Sequence, residues 1–106
     1  HPERDGAVCR MPRCVGQWLD MGCHVQLTGG SLMGEYGKTV QQTATYLLQQ
    51  DLVACIASDA HGCDRRTPNM EGLRRWAEEC CDPECAEILL TENPKQILKG
   101  LPVVPL

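Results

Sequence analysis

Two segments of this chain hold the residue types from which a reactive site could be made. Asp59 and His61 form an Asp-x-His pair directly behind the apolar run Leu52-Val53-Ala54-Cys55-Ile56-Ala57. In an extended strand, side chains two positions apart share one face. The spacing therefore predicts a carboxylate and an imidazole pointing the same way at the end of a buried strand. Strand ends are where α/β folds place their sites. A carboxylate with an imidazole suits manganese, iron or zinc better than calcium. The same pair is also what a plain strand end would show, with a capping aspartate and a solvated histidine. The second segment is His1-Pro2-Glu3-Arg4, which brings an imidazole, a carboxylate and a guanidinium close together in sequence.

The elements that must position these residues read as alternating strands and helices. His1 is expected to close a strand. Val15, Trp18 and Leu19 form a helical stripe over residues 15–21. His24-Val25-Gln26-Leu27-Thr28 alternates polar and apolar, which predicts a strand over 24–28, broken by Gly29-Gly30. Val40, Thr43, Ala44, Leu47 and Leu48 recur at helical spacing within 35–50. Residues 52–57 are apolar throughout, as strands buried on both faces are. A helix is expected over 70–80, with Leu73, Trp76 and Ala77 on its buried side. Pro83 suits the first turn of a helix over 84–90. Glu92 or Asn93 is expected to cap a last short helix before Gly100. Pro102 and Pro105 predict an extended tail over 101–106. Strand–helix alternation implies an α/β fold with parallel strands and right-handed crossovers.

Composition narrows the partners. The 106 residues make one small domain, 42% apolar but without Phe, so its core must rest on Leu, Val, Ile, Ala and Met. A net charge of −4 with mixed signs argues against nucleic acid, which needs a basic face. No run of about 18 apolar residues exists to make a transmembrane helix. The eight cysteines, among them Cys80, Cys81 and Cys85, admit three readings: structural or incidental thiols, disulfides, or a thiolate metal site. Cys55 lies in the apolar run and behaves there as a small hydrophobe. No Cys-x-x-Cys occurs, so a zinc ribbon lacks its basic unit.

The order of motifs is more specific than any one of them. His-Pro-Glu-Arg at 1–4 is followed by Gln26 and by Ser31-Leu32-Met33-Gly34-Glu35-Tyr36-Gly37. Then come Ser58-Asp59-Ala60-His61, with Arg66 and Pro68 behind, and Glu92-Asn93-Pro94-Lys95-Gln96-Ile97-Leu98-Lys99-Gly100. This series, over essentially the whole chain, resembles the C-terminal part of the bacterial manganese-dependent protein-tyrosine phosphatases of the PHP (polymerase and histidinol phosphatase) superfamily. Those enzymes belong to capsule and exopolysaccharide gene clusters. The resemblance implies that residues 1–106 are a single partial domain, the C-terminal portion of a distorted (β/α)7 barrel.

It also implies roles. His1, Asp59 and His61 match metal ligands of the family, with Mn2+, or Fe or Zn, in a two- or three-metal cluster. Glu3 is expected outside the ligand set, orienting His1 or pairing with Arg4. Arg4 and Arg66 match two active-site arginines held to stabilise the phenolate leaving group; Arg65 stands beside Arg66, and either satisfies the spacing. A guanidinium binds phosphate through two donors and keeps its charge, and phosphoryl transfer spreads charge over the phosphate oxygens. The Ser31–Gly37 stretch is expected to be structural, with Ser31 as a cap or turn residue and Gly34 and Gly37 for close packing. Where the family has Asn, this chain has Thr28.

The implied function is hydrolysis of phosphotyrosine on proteins in the cytoplasm, the partner being a bacterial tyrosine kinase. Three donors are too few for the cluster, so the family's remaining ligands, a His-x-His among them, are expected before His1, and this chain alone is expected to be inactive. Other readings remain: a PHP-type phosphoesterase acting on small phosphate esters, a cysteine-rich zinc or disulfide binding module, or a non-catalytic remnant that binds partners.

Overall fold

The computed structural model describes residues 1–64 and 68–106. Strands β1 (Gln26–Thr28) and β2 (Cys55–Ala57) pair in parallel, Leu27 opposite Ile56. Parallel strands cannot be joined by a tight hairpin. Here the crossover runs through α3 (Gly29–Leu32) and α4 (Lys38–Gln49). Before β1 lie α1 (Gly6–Arg10) and α2 (Val15–Asp20), entered through 3-10 turns at Pro2–Arg4 and Pro12–Cys14. After β2 come α5 (Met70–Cys80), α6 (Pro83–Glu87), a π turn at Ile88–Glu92 and α7 (Asn93–Lys99). Residues 101–106 carry neither helix nor strand.

The strands meet the helices through one apolar cluster. Leu27 and Ile56 sit together with Val8, Val15, Leu32, Ala44, Leu47, Leu73 and Leu89, all buried. Burying each such side chain contributes about 1.5–3 kcal/mol, which is what holds so short a sheet. On α4 the buried positions are Thr43, Ala44 and Leu47, and on α5 they are Leu73 and Ala77 with Trp76 packed alongside. These are the faces the sequence predicts.

Both strands are shorter than the sequence suggests. The Val25 carbonyl accepts from Ala54 N–H at 2.8 Å and from Cys55 N–H at 3.3 Å. The ladder begins after this shared bond, so residues 24–25 and 52–54 approach without forming strand. Gly29-Gly30 does not simply break the chain either: it opens α3. The crossover helix starts at Lys38 rather than residue 35 because Gly34 and Gly37 have φ of +88° and +92°, which helical turns exclude. Gly37 thus serves backbone direction rather than close packing, with nothing within 4 Å of where a Cβ would stand, whereas Gly34 serves both, since a Cβ there would lie 3.3 Å from Gln41 Oε1. Asp5 caps helix α1, accepting from Ala7 and Val8 N–H at 2.9 and 3.1 Å, as an aspartate before a helical turn can.

The expected cap at Glu92 or Asn93 is not formed. Both residues have helical φ and ψ, and the chain runs from α6 through the π turn into α7. Asn93, only 1% exposed, works as a clip instead. Its amide donates to the carbonyls of Ala54 and Val104 at 2.8 and 2.9 Å, and its oxygen accepts from Val104 N–H at 2.6 Å. One side chain thus ties the C-terminal stretch to the entrance of β2.

Candidate active site

The ends of β1 and β2 deliver their loops to the same side of the sheet, as parallel strands must. Asp59 leaves β2 two residues after its last strand position and turns sharply, with φ of +53°. This left-handed conformation is one that aspartate adopts more readily than most residues. The strand does not continue to 61, so the shared-face argument for Asp59 and His61 fails. The loop itself couples them instead: His61 Nδ1 lies 2.7 Å from the Asp59 carbonyl oxygen. A carbonyl only accepts, so Nδ1 carries the hydrogen, and in the neutral ring Nε2 keeps the lone pair. His61 is exposed.

Arg4 reaches the same loop from the first turn of the chain. Its Nη1 donates to Asp59 Oδ2 at 3.0 Å, and both side chains are about three-quarters covered, at 24% exposure each. The guanidinium carbon lies 4.4 Å from the centre of the Tyr36 ring, a cation–π stack.

Glu3 does something other than orient His1 or pair with Arg4. It is fully buried. Its Oε1 accepts from Thr28 N–H at 2.9 Å and from the Ser31 hydroxyl at 2.8 Å. The carboxylate thus pins the Pro2–Arg4 turn to the end of β1 and the start of α3. Ser31 is a donor within α3, not a cap. Thr28, standing where the resemblance expects Asn, contributes its backbone N–H. Glu3 Oε2 has no hydrogen-bond partner among the described residues.

The other residues marked by the sequence stand as follows. His1 is exposed at the head of the Pro2–Arg4 turn, its backbone carbonyl accepting from Arg4 N–H at 3.2 Å. Arg66, with Arg65, lies outside the described residues. The structure therefore brings together Arg4, Asp59 and His61. It adds Tyr36, which lies in the Ser31–Gly37 stretch but to which the sequence assigns no role.

The donor types suit a divalent transition metal. The Nδ1–H to carbonyl bond of His61 is the outer contact that leaves Nε2 as the ligating atom in metal-bound histidines, and Asp59 adds a hard oxygen donor. Their number does not suffice: among the described residues no three of His, Cys, Asp or Glu gather as a metal site. The cysteines are free thiols, as the structural reading has it. Burial raises the thiols of Cys55 and Cys81 above their ordinary value, and burial, with Cys81 beside it, pushes Cys85 up to about 11. Thiols so held stay protonated at neutral pH, which lowers their nucleophilic reactivity.

Known proteins share this chain's sequence pattern and fold. The family described as capsular polysaccharide synthesis, CpsB/CapC, matches residues 1–99. The tyrosine-protein phosphatase CpsB of Streptococcus pneumoniae is 31% identical over 103 residues, which cover 92% of this chain and 42% of that protein. The tyrosine-protein phosphatase YwqE of Bacillus subtilis is 29% identical over 100 residues, covering 94% of this chain and 39% of that protein. Crystal structures of YwqE and CpsB, described as unique metal-dependent tyrosine phosphatases, superpose with a TM-score of 0.88 at 27% identity, over 100% of this chain and 42% of the solved one. The chain thus spans less than half the length of the relatives it matches. With the family matched along nearly its whole length and the fold superposing throughout, this chain belongs to the CpsB/CapC capsular polysaccharide synthesis family.

Proposed function

We propose that this chain supplies the C-terminal part of a metal-dependent phosphatase acting on phosphotyrosine in proteins. The substrate protein is a bacterial tyrosine kinase of the cytoplasm that governs capsule assembly. On this reading the two parallel strands and their helices are closing units of a distorted (β/α)7 barrel of PHP type, and donors from the rest of the protein complete the metal set. The carrying observation is the convergence of Arg4, Asp59 and His61 at one end of the parallel sheet, with His61 Nε2 left as the lone-pair atom.

His1, Asp59 and His61 would hold metal, Mn2+ first, with Fe or Zn as the other choices. Metals in such a site acidify water and supply a nucleophile at neutral pH. The protein's own residues do the rest. Arg4 keeps its charge at every relevant pH and presents its remaining N–H donors to phosphate oxygens and to the leaving phenolate. Asp59 orients Arg4 through the 3.0 Å bond. Arg66 is proposed for the same charge-neutralising work. Glu3 fixes the turn that carries His1 and Arg4.

The test is hydrolysis of a phosphotyrosine peptide by the complete protein and by its Asp59→Ala and His61→Ala variants. Loss of about 100-fold or more in either variant is expected for removal of a ligand or of the group that orients it. Wild-type turnover in both would remove these residues from the site. Faster turnover of small alkyl phosphates than of phosphotyrosine would favour a small-molecule phosphoesterase instead.

A further inference from the structure

We infer that Tyr36 is a positioning residue for Arg4, and through it for the phosphate of the substrate. The inference rests on the phosphatase reading above. A free arginine side chain samples many rotamers, and the freedom it loses on gripping phosphate counts against binding. Here the guanidinium is held in two directions before any substrate arrives. Asp59 Oδ2 takes one N–H at 3.0 Å, and the guanidinium carbon stands over the Tyr36 ring, 4.4 Å from its centre. A single bond alone leaves the group free to swing about it. The aromatic face removes that freedom and leaves the other N–H groups to be presented.

The loop is built to put the ring there. Gly34 and Gly37 flank Glu35 and Tyr36 with φ of +88° and +92°, turning the chain back before α4 begins. At Gly30 a Cβ would stand 3.2 Å from Tyr36 Cε2 and would collide with the Glu35 carboxylate. A side chain at the start of α3 would thus press on the Glu35-Tyr36 turn that carries the ring. Three glycines and one aromatic, spread over eight positions of sequence, converge on the placement of one guanidinium.

The experiment uses the complete protein and a phosphotyrosine peptide, with inorganic phosphate as competing inhibitor. Tyr36→Phe keeps the ring and should retain kcat/KM within about twofold, whereas Tyr36→Leu should lose about tenfold, the size of a partly desolvated cation–π contact. Inhibition by phosphate should weaken by a similar factor. If Tyr36 acts through Arg4, Tyr36→Leu should change nothing further in an Arg4→Ala background, whereas a general loss of packing would cost the same in both backgrounds. Should Tyr36→Leu fail to fold, Tyr36→Met keeps the bulk without the ring. Full activity of Tyr36→Leu, or an undiminished effect in the Arg4→Ala background, overturns this inference and leaves the phosphatase reading standing. Absence of phosphotyrosine hydrolysis in the unchanged protein overturns both.

Discussion

At the scale of single residues, a buried carboxylate organises the site from behind. Glu3 makes no contact with solvent, and one of its oxygens satisfies both the Thr28 N–H and the Ser31 hydroxyl. Glu3→Ala would strand two buried donors and open a cavity, a loss of about 2–4 kcal/mol. Glu3→Gln keeps the accepting oxygen and places its amide nitrogen where Oε2 already lacks a partner among the described residues, so stability should hold within about 1 kcal/mol. Urea unfolding of the complete protein measures both, and equal losses would show that the oxygen's two bonds are not what the residue contributes. None of this could be read from the sequence. His-Pro-Glu-Arg announces a functional segment, but the partners of Glu3 lie 25 and 28 residues away, and only the folded chain brings them to it. Tyr36 was hidden for the same reason, since its stack on Arg4 depends on the path of a loop. The ion pair of Arg4 with Asp59 was equally absent from the sequence, although both residues stood out in it.

At the scale of elements, periodicity carried most of the information. The helical stripes of α4 and α5 were legible because a packed helix must bury one face, and the order of strands and helices followed from the apolar runs. Their ends were not, because ends are set by backbone bonds and glycine conformation: the shared Val25 carbonyl at the strands, Gly34 and Gly37 before α4. The loop after β2 was foreseen as a site, while its left-handed Asp59 was not, since no alternation rule contains it. Asn93 is the sharpest departure. Its sequence context suggests a helix cap, yet the helix runs through it and its amide joins α7, the entrance of β2 and the C-terminal stretch. Asn93→Ala should therefore cost about 2–4 kcal/mol, because the buried Ala54 carbonyl and the part-buried N–H and carbonyl of Val104 lose their partner together. The accompanying sign is faster hydrogen exchange at the Val104 amide, whose N–H is bonded to Asn93 Oδ1. A variant as stable as the original, with unchanged protection at that amide, would mean that the clip adds nothing to the fold.

At the scale of the whole molecule, the chain is one portion of a larger arrangement. It covers 42% of the solved relative's chain and superposes on it throughout. Its described residues gather an arginine, an aspartate and a histidine at one end of a two-stranded parallel sheet, but no three metal donors. A functional centre of this kind is expected to draw its remaining donors from the rest of the protein. On the proposed reading, this chain's residues work on phosphate only as part of a metal-loaded whole. The most direct measurement is the rate of phosphotyrosine-peptide hydrolysis by the complete protein, first stripped of metal by a chelator and then given back Mn2+. The account predicts that stripping abolishes hydrolysis and that Mn2+ restores it in the unchanged protein but not in Asp59→Ala. Full activity after stripping, or restoration in Asp59→Ala equal to that of the unchanged protein, would contradict it.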